Sequence, residues 1–525
     1  MLHKLPTSWV QVRLGQICRL INGDRGKNYP SRTAFVEQGI PFINAGHLIN
    51  GCIDMSKMNF ISNERFEVLQ SGKVQDQDVL FCLRGSLGKT AIVNGISKGA
   101  IASSLVIVRP IEGTRSRYVH YFLSSPFAER LIGLFDNGTA QPNLSAAALK
   151  RFNVPLAPLR EQDRIIAKVE ELFSDLDAGV AALERVRANL KRYRAAVLKA
   201  AVEGRLTEAW RRRNPPAESA DKLLARILAD RRKKWEEDQF RRYAEAGKTP
   251  PKDWREKYPV PVMPNVANHR CLPSEWCWAT VDQLAISGPQ NGAYYPKSLY
   301  GSGTPIIRID DFQNDWSRST DMLQLVECPE RDCQAYGLSE GDMLINRVNS
   351  MTHLGKCLVI EERHVPSIFE SNMMRVRLAD AVVVNFIAHY LRSNEGKAQL
   401  TSNAKWAVNQ ASINQKDVLC TPVPLPPTQE QEEIVAEIDR RLSVAKAVEV
   451  EVECALRRAV RLRQAILKRA FEGTLVPQDP SDEPANALLE SIRIEQQKPE
   501  TDAKKGPRPK RQGERPTGGV LEGAK

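Results

Sequence analysis

The stretch PLREQDRIIAKVEELF begins at Pro158, and PTQEQEEIVAEIDRRL begins at Pro427, 269 residues later. Each is approached through prolines, NVPLA from Asn153 and TPVPLP from Thr421, and each opens a run of helical periodicity. In the first run Ile165, Val169, Leu172, Leu176, Val180, Leu183, Val186, Leu190, Tyr193 and Val197 recur at steps of three and four. The second run has Ile434, Ile438, Leu442, Ala445, Val448, Val452, Ala455, Ala459, Leu462 and Ile466. Such a stripe predicts a helix of nearly forty residues, about 55–60 Å long at 1.5 Å per residue, with the spacing of a coiled-coil seam. Gly204 and Gly473 are its expected stops.

The repetition extends outward from this joint. LPTSW at Leu5 returns as LPSEW at Leu272, and QDQDVLF followed by LGK at Leu87 returns as SEGDMLI followed by LGK at Leu354. YRAAVLKAAVEGRL at Tyr193 returns as LRQAILKRAFEGTL at Leu462, and NPPAESADKLLARI at Asn214 returns as DPSDEPANALLESI at Asp479. The order is the same throughout and the offset drifts only between 264 and 269. This is a tandem duplication of one large unit, unlike a solenoid of short repeats.

Before each joint the texture is of short β-branched and aromatic runs broken by Gly, Asn and Pro, such as GIPFIN, DVLFCL and SSLVIVRP. The expected fold class is therefore α+β: two mixed, loop-rich domains separated by two long helices. Residues 1–160 form the first domain and 161–204 the first helix. Residues 205–267 hold a charged helix near 219–246 and a proline-rich linker. Residues 268–429 form the second domain and 430–473 the second helix. Residues 474–525 hold a short helix and a basic tail, KPETDAKKGPRPKRQGERPTGG, that reads as disordered.

A net charge of +12 and a pI near 9.2 favour a polyanionic partner, nucleic acid first. The ten cysteines show no CxxC and no Cys/His cluster with zinc spacing, and read as buried thiols of a reducing cytoplasm. No secretory signal and no membrane-spanning run is expected.

The search for chemistry returns little. GSLGKT at Gly85 ends like a phosphate-binding loop, but the glycine required five residues before Gly88 is Leu83. NPPA at Asn214 sits in an Arg-rich linker, and EGK at Glu395, with Asp380 upstream, has PFA as its counterpart in the first copy. No catalytic residue and no metal site is assigned.

Recognition remains. Arg or Lys reads guanine edges and Asn or Gln reads adenine. In the first copy the candidates are Asn22, Arg25 and Lys27; Asn44 and His47; Arg84, Ser86 and Lys89; and Asn137, Gln141 and Asn143. In the second they are Asn291, Tyr294 and Lys297; Arg308; Asn346, Arg347, Asn349, His353 and Lys356; and Lys405, Trp406, Asn409 and Gln410. Each loop taken alone is more often a plain solvated turn than a DNA contact. What sets them apart is two differently spelled loop sets on two copies of one scaffold.

With NVPLAPLREQDRI and PVPLPPTQEQEEI at the joints, AVLKAAVEGRL and AILKRAFEGTL at the helix ends and two LPxxW starts, the chain resembles the specificity (S) subunit of a type I restriction-modification enzyme. The resemblance covers nearly all of residues 1–495. It implies two target-recognition domains, each reading half of a split site in double-stranded DNA, with the two helices packed antiparallel as a spacer coiled coil. It also implies two docked methyltransferase (M) subunits that methylate adenine, and two restriction/motor (R) subunits. S-adenosylmethionine, ATP and Mg are then expected in those partners and none in this chain, which would be non-catalytic and cytoplasmic. Two other readings are a self-contained restriction or methylation enzyme, for which two recognition units leave no room, and a coiled-coil scaffold that binds only protein, which the charge disfavours.

Overall fold

The structure, a computed structural model, describes residues 5–26, 28–136, 142–267, 269–313, 316–407 and 410–497. Four helices organise it: α1 (Leu159–Val202), α2 (Ala220–Glu245), α3 (Thr428–Phe471) and α4 (Ala485–Gln497). Both long helices run 44 residues. Two compact units divide the chain, one of Met1–Ala182 with Ala455–Lys525, the other Leu183–Cys454.

In the first unit an antiparallel sheet has the order Cys18–Asn22, Leu105–Pro110, Val79–Cys82, Thr90–Ile92. Its central strand, LVIVRP, is buried on both faces. Alternation sends Val106 and Val108 into one core and Leu105 and Ile107 into another. A second small sheet places Ala100–Ile101 parallel to Ile40–Ile43. Val10–Arg13 pairs with Asn153–Leu156, which brings the start of the domain to the foot of α1. The larger core then takes Ile165 and Val169 from α1, Ile466, Leu467, Ala470 and Phe471 from α3, and Leu489 and Ile492 from α4. Phe471 meets Tyr118 and Phe122 edge-on, with ring centroids 5.1 and 5.4 Å apart. Asp177 on α1 pairs with Arg463 on α3 at 3.2 Å.

The second unit repeats this plan. Its main sheet runs Ala285–Asn291, Met373–Leu378, Met343–Asn346, Cys357–Val359. Cys277–Thr280 pairs with Pro422–Leu425 at the foot of α3. The core takes Ile434 and Ile438 from α3, Val197, Ala201 and Val202 from α1, and Leu223 and Ile227 from α2. Arg194 and Glu449 pair across the helices at 2.7 Å. Each unit is thus completed by the far end of the helix that the other copy begins.

Two expectations need correction. Val186, Tyr193, Val448 and Leu462 are 38%, 43%, 40% and 49% exposed, off the seam. Two helices alone bury only a narrow strip, here including Ala445 and Val452, and burial is complete only where a mixed domain covers the helices. The cysteines are also not uniformly buried thiols: Cys52 and Cys271 stand exposed in loops, and Cys328 is bonded to Cys333 beside the short helix Glu330–Tyr336.

Candidate nucleic-acid interface

The repeated joint has a structural meaning that the sequence did not reveal. Trp9 Nε1 donates to Glu161 Oε2 at 2.9 Å, and Trp276 Nε1 donates to Glu430 Oε2 at 2.8 Å. Glu161 also accepts from Gln478, and Glu430 from Thr207 and Arg211, residues beyond the end of the opposing helix. The next residue is a second clasp. Gln162 donates to Ala157 O and accepts from Arg115 N, while Gln431 donates to Pro426 O and accepts from Val383 N. Gly204 and Gly473, both at φ +71°, end the helices against the same tryptophans. The Glu-Gln pair of each joint therefore seats a mixed domain on its helices. The signal that could have found it was the paired reappearance of LPxxW and Glu-Gln.

In the first unit two candidate loops meet. Arg84 Nε donates to Asn143 Oδ1 at 3.1 Å, and Leu144 N donates to Leu83 O at 2.9 Å. Arg84, Ser86, Lys89 and Asn143 are exposed there. The segments bearing them, 79–111 and 142–160, contain no acidic residue. Asn22 and Arg25 are exposed on a loop pinned at Gly23, where a Cβ would lie 2.7 Å from Ala102 O. Asn44 and His47 serve a different purpose. Asn44 Oδ1 caps the turn at Gly46 N, and buried His47 accepts from Asn44 N and reaches Lys57 O. His47 is accordingly removed from the candidates. Lys27, Asn137 and Gln141 lie outside the described residues.

In the second unit three loops converge on Arg347. Its N–H bonds Asn372 O, its carbonyl accepts from Ile413 N and its guanidinium donates to Ser371 O at 3.2 Å. Ser371 N in turn donates to Ala293 O at 2.8 Å. This ties the loop of Asn291, Tyr294 and Lys297 to a ribbon in which Gln410–Ser412 lies between Val348–Asn349 and Lys405–Ala407. Segments 283–309, 343–360 and 396–416 supply these loops, with seven Lys or Arg and no Asp or Glu. Asn291, Tyr294, Lys297, His353, Lys405, Trp406 and Gln410 are exposed; Asn349 is half-buried, accepting from Ser350 N. Asn409 lies outside the described residues.

Burial corrects two further candidates. Asn346 is fully enclosed at the end of its strand, and its amide has no partner. Lys356 is buried with Nζ donating to Ile309 O and Phe312 O, and burial pulls its pKa below the usual lysine value. It holds the 309–313 loop in place and does not face solvent. Arg308 is half-exposed, bonding Gln324 and lying over the Tyr300 ring.

The loop GSLGKT turns between the antiparallel strands Val79–Cys82 and Thr90–Ile92, a hairpin and not the strand–loop–helix of a nucleotide site. Glu395 is held by Arg270. Among the described residues no group of His, Cys, Asp or Glu is placed to hold a metal ion, and no helix is long and apolar enough to cross a membrane. A cleft of about 650 Å³ in the first unit is lined by Tyr121, Phe173 and the Arg117–Glu170 pair, with Ile92 and Asn94 beside them.

The model of the type I restriction modification DNA specificity domain matches twice, over residues 6–185 and 273–446. The chain is 26% identical over 507 residues to the type I restriction enzyme EcoKI specificity subunit of Escherichia coli K12, covering 94% of this chain and 96% of that one. It is 25% identical over 509 residues to the StySPI specificity subunit of Salmonella potsdam, with the same coverage. A chain solved in work on complex assembly and conformational transition of the type I R-M system shares the fold, with a TM-score of 0.59 and 21% identity over 90% of this chain and 100% of that one.

Proposed function

We propose, since the chain belongs to the type I restriction modification DNA specificity family and is the DNA-recognition subunit of such a system, not an enzyme, that it reads a bipartite, asymmetric site. The observation that carries this reading is the pair of equivalent units, built alike at the Trp–Glu joint and unlike in the loops that bear their exposed Arg, Lys and Asn side chains. Like joints offer two like docking places, one for each of two N6-adenine methyltransferase subunits. Unlike loops give each half-site its own sequence. The cationic loops supply sequence-independent affinity through phosphate contacts, and the amide and guanidinium side chains among them supply base reading. S-adenosylmethionine is then held by the methyltransferase subunits, and ATP and Mg by two motor-nuclease subunits, in the cytoplasm.

Exchange of residues 1–157 for the matching part of a relative tests the division of labour. Mapping of modified adenines across a genome is expected to show one half of the methylated sequence changed and the other kept. A change in both halves, or in neither, refutes it.

A further inference from the structure

We propose that Tyr294 is a base-stacking wedge, so that the second unit unstacks its half of the DNA site while the first unit reads its half without doing so. The inference rests on the DNA-reading function proposed for the chain. The backbone on either side of Tyr294 is fixed. Gly292 passes so close to Phe369 O and Glu370 O that no Cβ would fit. Ala293 is bonded on both sides, its N–H to Phe369 O at 3.0 Å and its carbonyl from Ser371 N at 2.8 Å. Tyr295 is buried, with its hydroxyl on Asp332 at 3.1 Å. In an extended segment alternate side chains face opposite ways, so these anchors drive Tyr294 outward, where it is 80% exposed.

A rigid backbone that holds a bare aromatic ring in solvent is a feature of surfaces that meet a partner. The surroundings identify the kind of partner. The loops around Arg347 carry cations and amides, the carboxylate of Glu370 is turned to Ile309 N and Arg308, and Trp406, 73% exposed, stands on the adjoining ribbon. A duplex offers both phosphates for the cations and base faces for the rings, and inserted side chains kink DNA by opening a base step.

The first unit differs at the same place. The offset of 269 that separates Glu161 from Glu430 also separates pinched Gly23 from pinched Gly292, and Arg25 from Tyr294. Where one unit projects a ring, the other projects a guanidinium. The exposed aromatic side chains among the described residues all belong to the second unit.

The chain, assembled with its methyltransferase subunits, is mixed with a duplex of the sequence that the complex methylates. 2-Aminopurine replaces one base at a time in each half, away from the methylated adenines. The exchange of residues 1–157 identifies which half belongs to which unit. Fluorescence is expected to rise at one step in the second unit's half only, to be lost in Tyr294→Ala and to persist in Tyr294→Phe. The Ala variant should also bind about 5- to 150-fold weaker, in line with about 1–3 kcal/mol for a stacked base. No rise in that half, or a rise that survives Tyr294→Ala, overturns the wedge while specific binding leaves the DNA-reading function standing. Failure to distinguish this duplex from a scrambled one overturns that function too. Unchanged DNA affinity in Tyr294→Ala with loss of methyltransferase capture assigns the ring to a protein face and also overturns the wedge.

Discussion

Glu430 has almost no access to water, and its two oxygens receive Trp276, Thr207 and Arg211. Removing the carboxylate leaves the Trp276 indole N–H unpaired and Arg211 with only Gly204 O as acceptor, the costly way to break a buried pair. Glu430→Ala is expected to destabilise the second unit by about 3 kcal/mol and Glu430→Gln by less, read from the denaturation midpoint. His120 behaves differently. Burial, with Arg117 adding repulsion, lowers its pKa from 6.5 to about 4, so the folded first unit holds the ring neutral. The unfolded chain then binds more protons between those values, and stability is complete above about pH 6.5 and falls as pH drops toward 4. His120→Gln is expected to flatten the pH dependence of the first unit's melting between about pH 6.5 and 5, above the range where most carboxylates titrate. A slope unchanged by the substitution refutes this role. At this scale the sequence said least. Glu161 stood out as repeated, but its partners Trp9 and Gln478 are 152 and 317 residues away, and no local spacing joins them.

The long helices were legible because their periodicity is local and sustained, and the charged helix α2 because its charge is continuous. The loops were not legible, because burial decides their function and depends on distant neighbours. Lys356 and Lys405 are alike in type, yet one anchors a turn from inside and the other faces water. The helices also bear a prediction. Four residues inserted near Ala188 lengthen α1 by about 6 Å and turn its C-terminal part by about 400°, so Val197 and Ala201 return nearly to their places in the second core. The methylated site is expected to keep both half-sequences with one or two more base pairs between them, at some loss of stability because α3 keeps its length. Two inserted residues turn Val197 and Ala201 by about 200°, away from that core, and should abolish activity. An active four-residue variant with an unchanged spacing refutes the role of the helices as a ruler.

At the scale of the molecule, the second unit is one continuous stretch, Leu183–Cys454, while the first is assembled from both chain ends, where Ala485 N donates to Ser8 O at 2.9 Å. Deletion of residues 455–525 removes only sequence from the later copy. It should nonetheless leave the second unit folded and open the first, which protease digestion of the truncated chain would show as cleavage confined to residues before 183; resistance there refutes it. The same division sets a timetable for synthesis. A ribosome that adds about 5–20 residues per second makes Phe122 first and Phe471 only 349 residues later, on the order of 20–70 s. Throughout that interval the nascent chain carries Tyr118 and Phe122 without the ring that covers them, while the later-made unit has every residue it needs once Cys454 is added, before Phe471 is made. The half translated first is the half that folds last, and on a crowded polysome a neighbouring chain can offer the missing segment before its own is made.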